Sequence, residues 1–244
     1  MGAQSGAAVS GVASPRPPLA DCPICGGGEF APGPRGRMAP NGMMPRCARC
    51  GSLERHRIFR LMFRRLGTAR FGTMRAIQFS LEPTLDPQWF ASFELSVYGA
   101  ENSIDIQAID RPDSSYDLVA CSHVLEHVAD DREALGELLR ITTGEGFLYL
   151  AVPDPFREEE TRDWGFAKPE KHGHFRVYGA DISRRFARYL PDQAVLSYIG
   201  EDPVTGERDG CFLLTKSVAT RRCIEASLAP DCGFFCGPEE KSQN

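Results

Sequence analysis

The run at residues 116–135, YDLVACSHVLEHVADDREAL, constrains the fold more than any other part of the chain. Residues 116–121 are apolar and rich in strand formers, which predicts a buried strand. The strand ends in a polar knot of Ser122, His123, Glu126 and His127. Asp130-Asp131 then caps a helix over residues 132–140, whose Leu135, Leu138 and Leu139 belong to a core. Ligands of open α/β sheets bind beyond the carboxyl ends of the strands. Two histidines and a glutamate at such an end are placed for chemistry rather than packing. Cys121, inside the strand, reads as a buried residue and not as a nucleophile.

The chain has 244 residues, enough for one sizeable domain and a small appendage. Its 42% hydrophobic and 25% charged residues are ordinary for a globular protein. No apolar run is long enough for a membrane span. Residues 1–20 lack the basic start and apolar centre of a signal peptide, carry Gly6 where a myristoylation signal needs Ser or Thr, and read as a disordered lead-in. Charge is uneven: residues 1–70 hold eleven arginines, no lysine and three acidic residues, net +8, whereas the remainder is net −13. That split fits a basic module docked on an acidic one, or a module that meets an anionic partner.

Cys22-Pro-Ile-Cys25 and Cys47-Ala-Arg-Cys50 form two CxxC pairs 21 residues apart, close to the zinc-ribbon template. Each pair wraps one face of a metal, and together they complete a tetrahedron of soft thiolates. Gly26 and Gly51 relax the turns, and Arg46 and Arg49 offset the thiolate charge. Four thiolates close the coordination shell, so the expected Zn²⁺ is structural. With no leader visible, a reducing, cytoplasmic setting is expected, in place of disulfides. Ser52 then reads as the N-cap of a helix with Ile58, Leu61, Met62 and Leu66 on one stripe and Arg57, Arg60, Arg64 and Arg65 on the remainder. The helix is either a connector packed on the next domain or a phosphate-contacting face.

The centre and its flanks resemble the class I S-adenosylmethionine (SAM) dependent methyltransferases, in the branch that writes HVLEHV after the fourth strand. Asp105 stands twelve residues before Asp117, the family's place for an adenine-binding aspartate, and GEG at 144–146 with a strand at 147–152 matches its turn and fifth strand. CxxCGSLERHR before such a domain matches zinc-ribbon-bearing members, and the likeness covers roughly residues 75–216. It implies a Rossmann-like α/β sheet with a small N-terminal zinc ribbon of four cysteines. Residues 75–80 would be the first strand, but no glycine stands between Thr73 and Tyr98, where the family carries a glycine-rich turn. Phe79-Ser-Leu-Glu82-Pro83 looks like the aromatic-x-Pro-Glu turn of the zinc-ribbon branch. There Phe79, the Ser80 backbone and the Glu82 carboxylate would meet the cofactor's ammonium group; alternatively, Glu82 is a solvated turn residue. Glu101, after a second strand at 94–98, is placed to accept the ribose hydroxyls. Only three residues separate it from Asp105, whereas a parallel crossover needs about a dozen. The sheet edge is therefore expected to be trimmed at its third strand, with Asp105 and Ile106 reaching adenine from a loop, or with Asp105 merely solvated. Ser122 and His123 would line the floor beneath the sulfonium. His127 either serves catalysis or holds its loop through a backbone carbonyl.

Beyond strand five, residues 153–179 form a long segment without periodicity, which is usually functional. Its KHGHFRVYG resembles the family's H-x-R-x-Y-G segment before a late helix, here 180–190. His174 and Arg176 are the acceptor-side candidates, with His172 next; a histidine tuned near neutral pH suits removal of a hydroxyl or amine proton. The alternative is that they anchor the loop. A mononuclear metal site from His123, His127, His172 and His174 matches no spacing template. Strands at 194–200 and 211–216 flank a hairpin loop. The tail from residue 217, with Cys223, Cys232 and Cys236 at spacings no zinc template shares, is expected to be largely disordered.

The resulting map is a lead-in (1–20), a zinc ribbon (21–51), a connector helix (52–70), a methyltransferase domain (71–217) and a tail (218–244). The expected activity is SAM-dependent methyl transfer to an O, N or C nucleophile of a small molecule, with no membrane partner; a nucleic-acid methyltransferase using the Arg-rich helix is the weaker alternative, and the acidic main domain argues against it. The competing expectation is a degenerate scaffold whose ribbon binds an anionic partner. The sequence leaves the oligomeric state open.

Overall fold

The computed structural model describes residues 17–237; most of the expected lead-in and the last seven residues of the tail lie outside the described residues. Strand order in the main sheet is β11-β9-β10-β6-β5-β3-β4. β3 (Arg75–Phe79), β4 (Ser92–Ser96), β5 (Tyr116–Ser122) and β6 (Thr142–Ala151) are parallel, while β9 (Ala194–Glu201), β10 (Arg208–Thr215) and β11 (Cys232–Cys236) extend the sheet by antiparallel pairing. Chain direction across the sheet reverses between β3 and β5, which places a topological switch point at their carboxyl ends.

Alternation within β5 shows how the sheet is buried on both faces. Val119 and Cys121 join α2 (Asp131–Arg140) and α3 (Ile182–Tyr189) in one cluster, and Leu118 and Ala120 join α1 (Glu54–Leu66) and α4 (Val218–Leu228) in the other. Asp130 caps α2 as expected, its carboxylate accepting from the Glu133 backbone N–H at 3.0 Å. The sheet edge is trimmed as expected: among the described residues no strand lies beyond β4. The crossover from β3 to β4 also lacks a helix, holding only a turn of 3-10 helix at Pro87–Trp89. In its place lies α1, whose Arg60 donates to the carbonyls of Pro83 and Leu85 and to the Asp86 carboxylate, and stacks on Trp89.

Several expectations need correction. The cap of α1 is Leu53, whose N–H donates to His56 Nδ1 at 3.1 Å, while the Ser52 hydroxyl lies 3.2 Å from Cys50 Sγ and 3.4 Å from Cys22 Sγ. The apolar stripe of α1 includes Phe59 and Phe63, and Leu61 stands at its margin. Arg57 and Arg60, read as surface residues, are buried because they find partners: Arg57 makes a bidentate pair with Asp202 at 2.6 and 2.7 Å, both side chains 0% exposed. The described part of the tail, residues 218–237, is folded. α4 buries Ile224 and Leu228, and β11 closes the sheet edge with Phe234 and Phe235 packed on opposite faces. Residues 144–146 are strand and not turn, since β6 begins at Thr142. The segment read as irregular holds an antiparallel ribbon, β7 (Arg162–Lys168) with β8 (His174–Val177).

The N-terminal module pairs β1 (Phe30–Ala31) with β2 (Arg46–Cys47). It is joined to the β9–β10 loop by the Arg57–Asp202 pair and by hydrogen bonds from Asn41 to the Thr205 carbonyl and from the Leu19 N–H to the Val204 carbonyl. It therefore sits over the sheet's carboxyl end as part of one body, not as a tethered appendage.

Candidate active site

Two similar turns build the cysteine cluster. The Gly26 N–H donates to the Cys22 carbonyl and the Cys22 N–H to the Gly27 carbonyl; Gly51, Cys47 and Ser52 repeat the pattern. Gly26 and Gly51 take φ of +70° and +73°, which a side chain would strain. All four sulfurs lie within 4.8 Å of one another, with Cys22 to Cys50 at 3.7 Å and Cys25 to Cys47 at 3.5 Å. A tetrahedral site with Zn–S bonds of about 2.3 Å has S···S edges of about 3.8 Å, so the cluster fits zinc.

At the switch point, Ser80 takes φ +93°, the left-handed region that a glycine would occupy in a glycine-rich turn. The surroundings over-determine that conformation. Its N–H donates to the Ser96 carbonyl at 2.9 Å, its hydroxyl to the Ser122 carbonyl at 3.1 Å, and its own carbonyl accepts from Gln78 Nε2 at 2.8 Å. Glu82 is buried and not a solvated turn residue. It accepts from the Ser122 hydroxyl at 3.0 Å and lies 3.4 Å from His56 Nε2. Burial alone would raise the Glu82 carboxyl, but the His56 ring and the Arg55 charge hold it below its ordinary value.

Phe79 and Ile106 are core residues, so their side chains are occupied in packing. Glu101 is exposed in the turn after β4, which ends two residues earlier than expected. Asp105 is also exposed. Its carboxylate accepts from the N–H and the side chain of Gln107, whose amide oxygen in turn accepts from the Asp130 N–H. This chain of bonds joins the loop after β4 to the start of α2.

Beyond β5, His123 takes φ +54° with its N–H donating to the Ala151 carbonyl, and its Nδ1 stands 3.6 Å from Glu126 Oε1. Burial, reinforced by the Arg55 charge, drives His123 down to about 3. Burial pushes the Glu126 carboxyl up to about 8. The His127 and His174 rings meet edge to face at 4.5 Å, and His172 stands 6.0 Å from His174. Burial, with His127 and His172 beside it, holds His174 down at about 4, so it is not tuned near neutrality as its sequence context suggested. Arg176 is 2% exposed and engaged at all three nitrogens, donating to Asp163 and to the carbonyls of Leu125, Val128 and Ala129. It ties β8 to the turn after β5.

Of these groups, His123 and His172 border a cleft of about 720 Å³ between the N-terminal module and the sheet. Arg35 and Arg55 line it from the module, and His123, Asp154, His172 and Asp209 from the sheet side. Of the six described non-glycine residues with positive φ, Arg35, His123, Asp154 and His172 line this cleft, a concentration of backbone strain typical of functional sites. Arg55, His56 and Asp209 did not stand out in the sequence. The buried Arg55 Nε has no hydrogen-bond partner, and burial raises Asp209 to about 6. The GSLERHR run was the available signal, since it supplies Ser52 to the cysteines, Arg55 to the cleft, His56 to Glu82 and Arg57 to Asp202.

A profile of the family described as "Methyltransferase domain" matches residues 25–189, from the first CxxC to the end of α3. No curated protein matches the sequence. Among solved structures, a SAM-dependent methyltransferase and possible histamine N-methyltransferase from Thermotoga maritima is 13% identical with a TM-score of 0.39, covering 66% of this chain and 91% of that one. A SAM-dependent methyltransferase from Aquifex aeolicus is 13% identical with a TM-score of 0.37, covering 64% and 88%. The N-methyltransferase NodS from Bradyrhizobium japonicum, in complex with S-adenosyl-L-homocysteine, is 12% identical with a TM-score of 0.36, covering 66% and 84%. The family match spans well over half of the chain, which belongs to the methyltransferase-domain family and carries its Rossmann-like class I sheet.

Proposed function

We propose that this chain transfers a methyl group from SAM to an oxygen, nitrogen or carbon nucleophile of a small molecule held in the cleft beneath the cysteine module. The observation that carries this reading is the convergence of Ser80, Glu82 and Ser122 at the switch point, next to His123, which lines a cleft together with His172. SAM supplies the methyl group as an electrophile. The Ser80 turn and the Glu82 carboxylate would hold its amino-acid end, Glu101 its ribose, and Asp105 with the Ile106 backbone its adenine.

On the acceptor side, burial holds the His174 ring at about 4, so it is neutral at physiological pH, and the neighbouring His127 ring is lowered as well. A neutral ring nitrogen can accept the proton that a hydroxyl or amine loses as it is methylated. Arg176, engaged at all three nitrogens, positions His174 against His127 and contacts no acceptor itself. Zinc on Cys22, Cys25, Cys47 and Cys50 is structural and shapes the roof of the cleft.

The arginines of α1 argue against a nucleic-acid face. Arg57 and Arg60 are buried, Arg64 donates to the Pro23 carbonyl, and Arg65 pairs with Asp231 at 2.6 Å. No described helix is long and apolar enough to cross a membrane. A cytoplasmic setting suits a chain of reduced cysteines.

A screen of small hydroxyl, amine and active-methylene compounds with radiolabelled SAM tests the proposal. The expected result is transfer to a small compound, with His174→Ala lowering turnover and leaving SAM affinity intact. Full turnover in that variant returns His174 to an anchoring role.

A further inference from the structure

The turn after β5 and the first residue of β8 bring three metal-ligating side chains to one point. One ligand atom each from Glu126, His127 and His174 lie within 4.8 Å of one another. A cation on bonds of about 2.1 Å holds its ligands roughly 3–4 Å apart, so closing this set takes side-chain adjustment alone. Glu126 supplies the independent observation. It is 1% exposed, and neither of its carboxylate oxygens has a hydrogen-bond partner. A buried carboxyl group with no hydrogen-bond partner, its one ion-pair neighbour being His123 at 3.6 Å, is costly to desolvate, and an ion beside it removes that cost.

We propose that Glu126, His127 and His174 bind one first-row divalent cation at the edge of the cleft. Two imidazoles and one carboxylate suit Mn²⁺, Fe²⁺, Co²⁺ or Zn²⁺, and imidazole ligation disfavours Mg²⁺ and Ca²⁺. The supporting shell is in place. Arg176 locks β8 to the backbone of Val128 and Ala129, which fixes His174 over His127, and the Gly173 backbone bonds the His127 ring. His123, 3.6 Å from Glu126, and His172, 6.0 Å from His174, line the cleft, so the cluster stands beside it. With the cation bound, His174 is a ligand and no longer the free base, and an acceptor oxygen or nitrogen entering there would bind the cation and lose its proton more readily. That last role rests on the methyl-transfer reading; binding of the cation does not.

The test is titration of the zinc-loaded full-length protein with Mn²⁺, followed by loss of the free-ion electron paramagnetic resonance signal, and with Co²⁺, followed by its visible absorption. The wild type should take up one equivalent of cation beyond the thiolate-bound zinc. Glu126→Gln and His174→Ala should each weaken that binding at least tenfold. His174 is only partly buried, so its variant keeps the test decisive if Glu126→Gln folds poorly. No uptake of either ion by the wild type, or unchanged affinity in both variants, overturns the site. SAM titration of the same samples separates the two readings: cation uptake without SAM binding retains the metal site and removes the methyl-transfer reading.

Discussion

Removing the guanidinium of Arg57 should destabilise the whole chain. This side chain is completely buried, forms a bidentate pair with Asp202 at 2.6 and 2.7 Å, and donates to the carbonyls of Pro45 at 2.8 Å and Ser52 at 3.0 Å. Asp202 would keep only the N–H and hydroxyl of Thr205, at 3.1 and 2.7 Å. Breaking a buried pair from one side costs about 3–5 kcal/mol, because the remaining charge is left unpaired in a medium that solvates it poorly. For a chain of this size each kcal/mol lowers Tm by about 2–4 °C, so Arg57→Met should melt roughly 6–20 °C below the wild type. Circular dichroism of the zinc-loaded protein gives Tm directly. The double variant Arg57→Met/Asp202→Leu should recover part of the loss, since it leaves no buried charge but does leave the Thr205 donors and the Pro45 and Ser52 carbonyls unpaired. A drop under about 2 °C in the single variant, or no recovery in the double one, would refute the claim that this pair holds the module on the sheet.

Three further outcomes are expected from the same structure. Cys47→Ser should release zinc and weaken SAM binding only modestly, because the cysteine module roofs the acceptor cleft and lies apart from the Ser80 turn; inductively coupled plasma spectrometry and calorimetry read the two effects, and equal loss of both contradicts the separation. Burial raises Asp209 to about 6 from an unfolded value near 3.8, so the stability this group contributes is fully present below the unfolded value and is lost as pH rises through about 6. Asp209→Asn should therefore gain on the wild type between pH 4 and pH 7.5 by an amount of order 1–3 kcal/mol in urea unfolding, and a constant difference across that range contradicts the shift. At Ser80, where φ is +93°, Gly should be tolerated within about 1 kcal/mol while Val costs about 1–3 kcal/mol more, and equal stability of the two variants rules out strain at that turn.

Features set by local patterning were legible in the sequence. The strand ending in Ser122 and its capped helix are local signals, and the short spacing between Glu101 and Asp105 foretold a trimmed edge. β4 was displaced by two residues because Glu94 breaks its apolar pattern, an acid that the fold satisfies with Arg111 and Tyr116. The arginines of α1 were misread because the partner that buries Arg57 lies 145 residues away, and amphipathic patterning assigns an unpaired charge to solvent. β7 is largely exposed and β8 spans only four residues, so the ribbon passed for a loop. The tail was judged on cysteine spacing, although Ile224, Leu228, Phe234 and Phe235 are what order it. At the site, Ser80 keeps the glycine-like conformation through hydrogen bonds to Ser96, Gln78 and Ser122, which no motif search would show.

The central claim is that a glycine-free turn at Ser80 still holds SAM. Calorimetric titration of the zinc-loaded protein with SAM and with its demethylated product tests it most directly. The account predicts saturable micromolar binding of both, weakened in Asp105→Ala. Absence of binding by either compound, with salt-dependent binding of an anionic polymer instead, would contradict it and leave a methyltransferase fold that serves as a scaffold.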